Sequence, residues 1–123
     1  RLFPEGDELS RAEKARQFVT TCPCTLLYKG ARTIVTSTGE KLYYNSTGHP
    51  GMATGGQGDV LSGLLGALVA GGLQLMDAAR AAAWLAGRAA ELALEDGQSE
   101  QSLVAGDTAR SLGAAFHALR RGC

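Results

Sequence analysis

The residues best suited to chemistry lie in one run, Asn45-Ser46-Thr47-Gly48-His49-Pro50-Gly51-Met52-Ala53-Thr54-Gly55-Gly56-Gln57-Gly58-Asp59. Five glycines fall between Gly48 and Asp59, and the run ends in a carboxylate. Glycine lets backbone approach a ligand closely and adopt positive φ. Directly after it, Val60, Leu61, Leu64, Leu65, Leu68 and Val69 recur at helical spacing. A helix starting at or near Gly58 would aim its free N–H groups into the loop, where they attract phosphate. Gly55, Gly56, Gln57 and Gly58 are therefore candidates for an anion hole. Asp59 stands in the first helical turn. There it either favours the helix dipole or acts as general base on a hydroxyl that attacks a bound phosphate. The plainer alternative is a glycine turn followed by an acidic first turn. The run is not a Walker A loop, because no Lys-Ser/Thr follows the glycines, and it is not a dinucleotide G-x-G-x-x-G turn.

A second candidate is Lys29-Gly30-Ala31-Arg32-Thr33, where two cations flank a glycine at the end of an apolar segment. These residues either meet nucleotide phosphates or form a solvated turn. Asn45 and Thr47 can bond a ligand or, as Asx and Ser/Thr turns do, their own backbone. His49 precedes Pro50 in a loop. Asp107 reads as a helix N-cap and Trp84 as core.

The elements that must hold these groups follow an αβββ-ααα order. Ser10 and Glu13 have capping-box spacing, predicting a helix over 11–19 with Leu9, Ala12, Ala15, Phe18 and Val19 on its apolar face. Pro23 excludes a long continuation. Thr25–Tyr28 and Thr33–Ser37 read as strands, with Lys41–Asn45 returning after a turn at Thr38-Gly39-Glu40. The helix after the glycine loop ends at Gly71-Gly72. Gly63 and Gly66 inside it are expected to permit close packing. Asp77 is expected to cap an Ala-rich helix over 78–94. Asp107 is expected to cap another over 108–120, with Leu112, Ala115, Phe116 and Leu119 inward. Arg1–Gly6 reads as irregular. This is an α/β pattern of a sheet covered by helices. Three strands would leave one face and at least one edge open, which predicts part of a larger three-layer αβα structure.

Bulk composition narrows the partners. The chain has 123 residues with 12 basic and 12 acidic side chains, so no net charge draws it to nucleic acid or to a membrane surface. No apolar run approaches the ~20 residues of a membrane span. Cys22, Cys24 and Cys123 make an odd set, and the C-x-C spacing is not that of a zinc or thioredoxin site. Reduced thiols in a cytoplasmic protein are expected.

Lys29-Gly30-x-x-Thr33, together with Asn45-x-Thr47-Gly48-x-Pro50-Gly51-Met52-Ala53-Thr54-Gly55-Gly56-x-Gly58-Asp59-Val60-Leu61-x-Gly63, closely resembles the NAD(P)H-hydrate dehydratases, members of the ribokinase-like superfamily. The resemblance runs to about Phe116. This chain carries His49 where the family usually has Asn. The likeness implies that residues 1–123 are the C-terminal part of a single ribokinase-like domain, whose N-terminal half, with a further substrate contact, lies outside them. It also implies a lyase that repairs hydrated NADH and NADPH, using ADP or ATP with Mg²⁺. The nucleotide phosphorylates the ring hydroxyl, and phosphate elimination restores the double bond. Asp59 would be base and substrate contact. Lys29, Gly30, Ala31, Arg32, Thr33, Gly55, Gly56, Gln57 and Gly58 would bind nucleotide, with Asn45, Thr47 and His49 nearby. A homo-oligomer and an epimerase, fused or separate, are the implied partners. A ribokinase-like vitamin-precursor kinase and a non-catalytic nucleotide-binding fragment are the alternative readings.

Overall fold

The computed structural model describes residues 8–122, so Arg1–Gly6 and Cys123 lie outside the described residues. Helix α1 (Arg11–Thr21) leads into strands β1 (Thr25–Tyr28), β2 (Ile34–Ser37) and β3 (Tyr43–Tyr44). A single 3-10 turn (Pro50–Met52) precedes helices α2 (Gln57–Ala70), α3 (Leu75–Glu95) and α4 (Ala105–Arg121).

The capping box forms as the sequence predicts. The Glu13 N–H donates to Ser10 Oγ, and the Ser10 N–H donates to Glu13 Oε2 at 2.8 Å. These bonds hold the Glu13 carboxyl below its ordinary pKa, the side-chain bond from Ser10 first and the backbone bond second. The strands form an antiparallel meander in the order β1-β2-β3. Leu27 faces Val35, and Val35 faces Tyr43, so these three share one side of the pleat. That side packs on Ala79 and Ala83 of α3. Ile34 and Thr36 alternate to the other side and are fully buried. There α1 lies against the sheet with Ala15 and Val19 buried. The small sheet is thus covered on both faces, a three-layer αβα arrangement.

Helix α3 is the spine. Its alanines let the sheet, α2 and α4 approach closely, and Ala82, Leu85, Ala86 and Ala89 share a core cluster with Leu64 of α2 and Ala115 of α4. Burying such apolar surface contributes about 25 cal/mol per Å².

Several expectations are corrected. The return strand is only Tyr43–Tyr44, because after the turn closed by the Glu40 N–H on the Ser37 carbonyl the chain finds no ladder partner until Tyr43. Asp77 and Asp107 are not N-caps. Helix α3 starts from Gln74 and α4 from Val104, which places both acids in the first turn, where they still favour the dipole. Asp107 reaches back to accept the Val104 N–H at 3.0 Å and pairs with Arg110. Leu119 is exposed rather than inward. Gly63 and Gly66 lie on the exposed side of α2, and a Cβ at either would meet nothing within 4 Å among the described residues; their close-packing role is not seen.

Candidate functional site

Helix α2 begins where Gly56 turns left-handed, with φ +87° at the N-cap. A Cβ at Gly56 would stand 2.9 Å from Ala105 Cβ, so glycine is needed there for both conformation and space. The N–H groups of Asp59 and Val60 donate to the Gly56 carbonyl. Those of Gln57 and Gly58 have no protein partner among the described residues. They are the orphan donors of a helix N-terminus.

The turn after β1 delivers a cation to this place. Lys29 Nζ lies 2.9 Å from where a Cβ of Gly58 would stand. Two sequence segments with β2 and β3 between them therefore meet at one point. The ammonium has no hydrogen-bond or ion-pair partner among the described residues. A phosphate placed there would meet the helix N–H groups and the ammonium together.

The glycine loop is strapped to α3. Asn45 Nδ2 donates to the carbonyls of Thr47 and Ala83, at 3.0 and 3.1 Å. Thr47 Oγ1 donates to the Trp84 carbonyl at 2.8 Å, and the Gly48 N–H donates to Glu91 Oε1 at 2.7 Å. Glu91 is oriented in turn by Arg88, whose Nη1 donates to Glu91 Oε2 and to Glu95 Oε1. Those two bonds raise the Arg88 pKa above the ordinary arginine value, the Glu91 bond first. Asn45 thus bonds backbone of both the loop and α3, and Thr47 bonds backbone of α3. His49 Nδ1 accepts the Gly51 N–H at 3.2 Å and caps the 3-10 turn. Gln57 is buried, and its Nε2 donates to Thr108 Oγ1 of α4 at 3.1 Å; its side chain braces α2 while its backbone faces the site.

One groove of about 1290 Å³ is lined by Lys29, Gly30, Ala31, Arg32, Thr33, Asn45, Thr47, His49, Gly55, Gln57 and Gly58. Gly56 and Asp59 are outside its lining; Gly56 backs onto α4, and Asp59 is exposed one residue beyond Gly58. A smaller cavity of about 390 Å³ between β3 and α3 shares Tyr44, Asn45, Ser46 and Ala83 with the groove but holds neither Lys29 nor Arg32.

Three residues absent from the sequence reading shape the site. Arg11 binds the backbone of the Lys29 turn, Glu91 holds Gly48, and Gly87 lets the loop touch α3. A glycine inside an otherwise alanine-rich helix was a visible signal for Gly87. Nothing local in the sequence marks Arg11 or Glu91.

Residues 1–110 match the sequence profile of the family described as NAD(P)H-hydrate dehydratase. The chain belongs to this family. Its relatives include the ADP-dependent (S)-NAD(P)H-hydrate dehydratase of Neisseria meningitidis, 37% identical over 102 residues, covering 83% of this chain and 34% of that protein. Another is the bifunctional NAD(P)H-hydrate repair enzyme Nnr of Moorella thermoacetica, 39% identical over 97 residues, covering 79% of this chain and 18% of that one. The Bacillus subtilis ADP/ATP-dependent NAD(P)H-hydrate dehydratase, crystallised with ATP/Mg²⁺, superposes with a TM-score of 0.82 at 27% identity over 88% of this chain and 39% of its own. The fold is thus a part of the ribokinase-like dehydratase fold. The chain spans about a third or less of the length of the two curated relatives named.

Proposed function

We propose that this chain carries the nucleotide-phosphate wall of an NAD(P)H-hydrate dehydratase, a lyase that restores NADH and NADPH from their hydrates at the expense of ADP or ATP. The observation that carries this reading is the meeting of Lys29 Nζ with Gly58 at the N-terminus of α2, next to Asp59. The terminal phosphate of the nucleotide lies between ammonium and helix N–H groups. Lys29 to Thr33 and Gly55 to Gly58 hold the nucleotide, while Asn45, Thr47 and His49 shape the loop behind it.

Asp59 is the base. It takes the proton of the ring hydroxyl as that oxygen forms its bond to phosphorus, and the nucleotide leaves one phosphoryl group shorter. The helix N-terminus and Lys29 stabilise the charge that develops on the phosphoryl oxygens. The phosphate then departs with the C–O bonding electrons. A proton is lost from the neighbouring ring carbon, and the double bond returns. Among the described residues no group of three or more His, Cys, Asp or Glu could hold a metal ion. Mg²⁺ carried with the nucleotide would have Asp59 as the nearby carboxylate and would supply charge neutralisation at the phosphates.

We further propose that these residues are the C-terminal part of one domain. The share of the relatives that the chain covers supports this, as does α2, an apolar helix in which only Gln57 and Leu64 are buried. The facing wall and the remaining substrate contact then come from residues outside the chain. The reading extends to a cytoplasmic homo-oligomer working with an epimerase. The bifunctional relatives support a second activity beside this one, and among the described residues β1 and β3 each have one unpaired edge on which pairing could occur. No helix of the described residues is long and apolar enough to cross a membrane.

The test is recovery of NADH absorbance when the intact protein meets hydrated NADH, Mg²⁺ and either ADP or ATP. Phosphorylation of a vitamin-precursor alcohol without that recovery would replace the dehydratase reading by the kinase one. Nucleotide binding without either reaction would leave a binding module.

A further inference from the structure

We propose that Arg11 is a positioning residue for the phosphate site, clamping the turn that carries Lys29 to the N-terminus of α2. The inference rests on the nucleotide reading of that groove. Arg11 is the first residue of α1, and its guanidinium reaches across to the turn after β1. Nη1 donates to the Ala31 carbonyl at 2.7 Å; Nη2 donates to the Lys29 and Tyr28 carbonyls at 2.8 and 3.0 Å. The same group lies over the Tyr28 ring, 4.7 Å from its centroid.

Three carbonyl dipoles converge on one spot and are satisfied there by a cation. The turn is also shaped to this one. A Cβ at Gly30 would stand 2.7 Å from Nη2 and 2.9 Å from Cζ, and Gly30 has φ +146°. Arg32, with φ +53°, is the one non-glycine residue at positive φ among the described residues. Thr33 Oγ1 closes the turn on the Gly30 carbonyl at 3.2 Å. Such a backbone does not hold itself, because left-handed geometry is unfavourable for an L-residue.

What the clamp achieves is electrostatic. Lys29 is exposed, and its ammonium sits beside the positive end of α2, a like-charged neighbour. A free lysine would swing away into water. With its backbone carbonyl gripped by Arg11, Lys29 starts from a fixed point close to Gly58, so the backbone part of the entropy of placing the cation is already spent before phosphate arrives. A planar fork holds its donors in fixed directions, whereas the three donors of an ammonium rotate at the end of a flexible stem. The competing account is that Arg11 merely ties α1 to the sheet.

A double-mutant cycle on the intact protein separates the two. ADP affinity is measured by titration calorimetry for wild type, Arg11→Met, Lys29→Ala and the double variant, with thermal unfolding alongside. Arg11→Met is expected to weaken ADP binding about tenfold, or about 1.4 kcal/mol, and Lys29→Ala by a similar factor. The double variant should bind no more weakly than Lys29→Ala alone, because Arg11 acts through Lys29. Arg11→Lys keeps the charge and should fall between wild type and Arg11→Met; it carries the cycle if Arg11→Met unfolds. Wild-type affinity in Arg11→Met, or in Arg11→Lys where that variant carries the cycle, overturns the proposal. So do losses that multiply to about a hundredfold in the double variant, or a change confined to the unfolding temperature. If wild type itself does not bind ADP, the nucleotide reading falls and this inference with it. Wild-type binding with an unaffected Arg11 variant sinks the inference alone.

Discussion

Replacing Gly87 by alanine sets two effects of opposite sign against each other. Gly87 lies inside α3, where alanine ordinarily stabilises a helix by about 1 kcal/mol relative to glycine. Here the new methyl group would stand 2.7 Å from the Thr47 carbonyl carbon and 2.8 Å from the Gly48 nitrogen, and closer still to Thr47 Oγ1. Two of these neighbours are backbone and cannot rotate away, so the loop must lift from α3. Overpacking of this kind costs about 1–3 kcal/mol. Lifting the loop strains the bonds from Asn45, Thr47 and Gly48 to α3, and losing one of them costs about 1 kcal/mol more. Against a gain of about 1 kcal/mol in helix propensity, the net destabilisation is about 1–3 kcal/mol. A domain larger than these residues loses about 2–4 °C in Tm per kcal/mol, so thermal unfolding followed by circular dichroism should show a fall of about 2–12 °C. ADP affinity should drop in the same variant, because the displaced loop leads straight into the α2 N-terminus. An unchanged or raised Tm with unchanged ADP affinity would refute the claim that the loop is strapped down at this glycine.

The other predictions concern charge and space at the site. Asp59→Asn keeps the shape but removes the base, so NADH recovery should fall by at least about a hundredfold while ADP affinity stays near wild type; near-normal turnover would take the base role from Asp59. In Gly58→Val the side chain meets the mobile end of Lys29 at 2.9 Å. The fold should survive, with ADP affinity lowered about tenfold, and full affinity would argue against phosphate lying there. Glu13 has a lowered folded pKa, so its capping contribution is fully present above the unfolded value and is lost as pH falls through the folded one. Acid unfolding of wild type should therefore show a component in that window that Glu13→Gln lacks, and identical acid profiles would exclude it.

Much of the fold was readable because it is local. The Ser10–Glu13 box, the β-branched strand at Ile34–Ser37 and the Gly71-Gly72 stop each act over a few residues, and each appears where the sequence places it, within two residues. Helix starts misled where an acid suits two positions. Asp77 and Asp107 serve as well in the first turn as at the cap, and each helix starts two residues earlier, at Leu75 and Ala105. The site was readable as two motifs but not as one place. Lys29 and Gly58 meet only because β2 and β3 lie between them as a meander, and no periodicity encodes that distance. Asn45 and Thr47 find their acceptors on Ala83 and Trp84 of α3, a pairing that exists only once the sheet has packed.

The glycines sharpen this distinction, because in the sequence they look alike. Gly30, Gly51, Gly56, Gly58 and Gly87 each have a neighbour within 3.0 Å of where a Cβ would stand. For Gly30 and Gly58 that neighbour is the end of Arg11 or Lys29; for Gly51 and Gly87 the neighbours include backbone of another segment. Gly55, Gly63 and Gly66 have no such neighbour among the described residues. Alanine at those three would ordinarily favour the helix or the unfolded-state balance by up to about 1 kcal/mol. Their glycines are therefore unexplained by packing within these residues. In the first set, Gly51, Gly56 and Gly87 stand against Glu100, Ala105 and the Thr47–Gly48 backbone, while Gly30 and Gly58 stand against the ends of Arg11 and Lys29. Glycine thus marks two kinds of close approach at the candidate phosphate site: the loop backbone against α3 at Gly87, and a cationic side chain against backbone at Gly30 and Gly58.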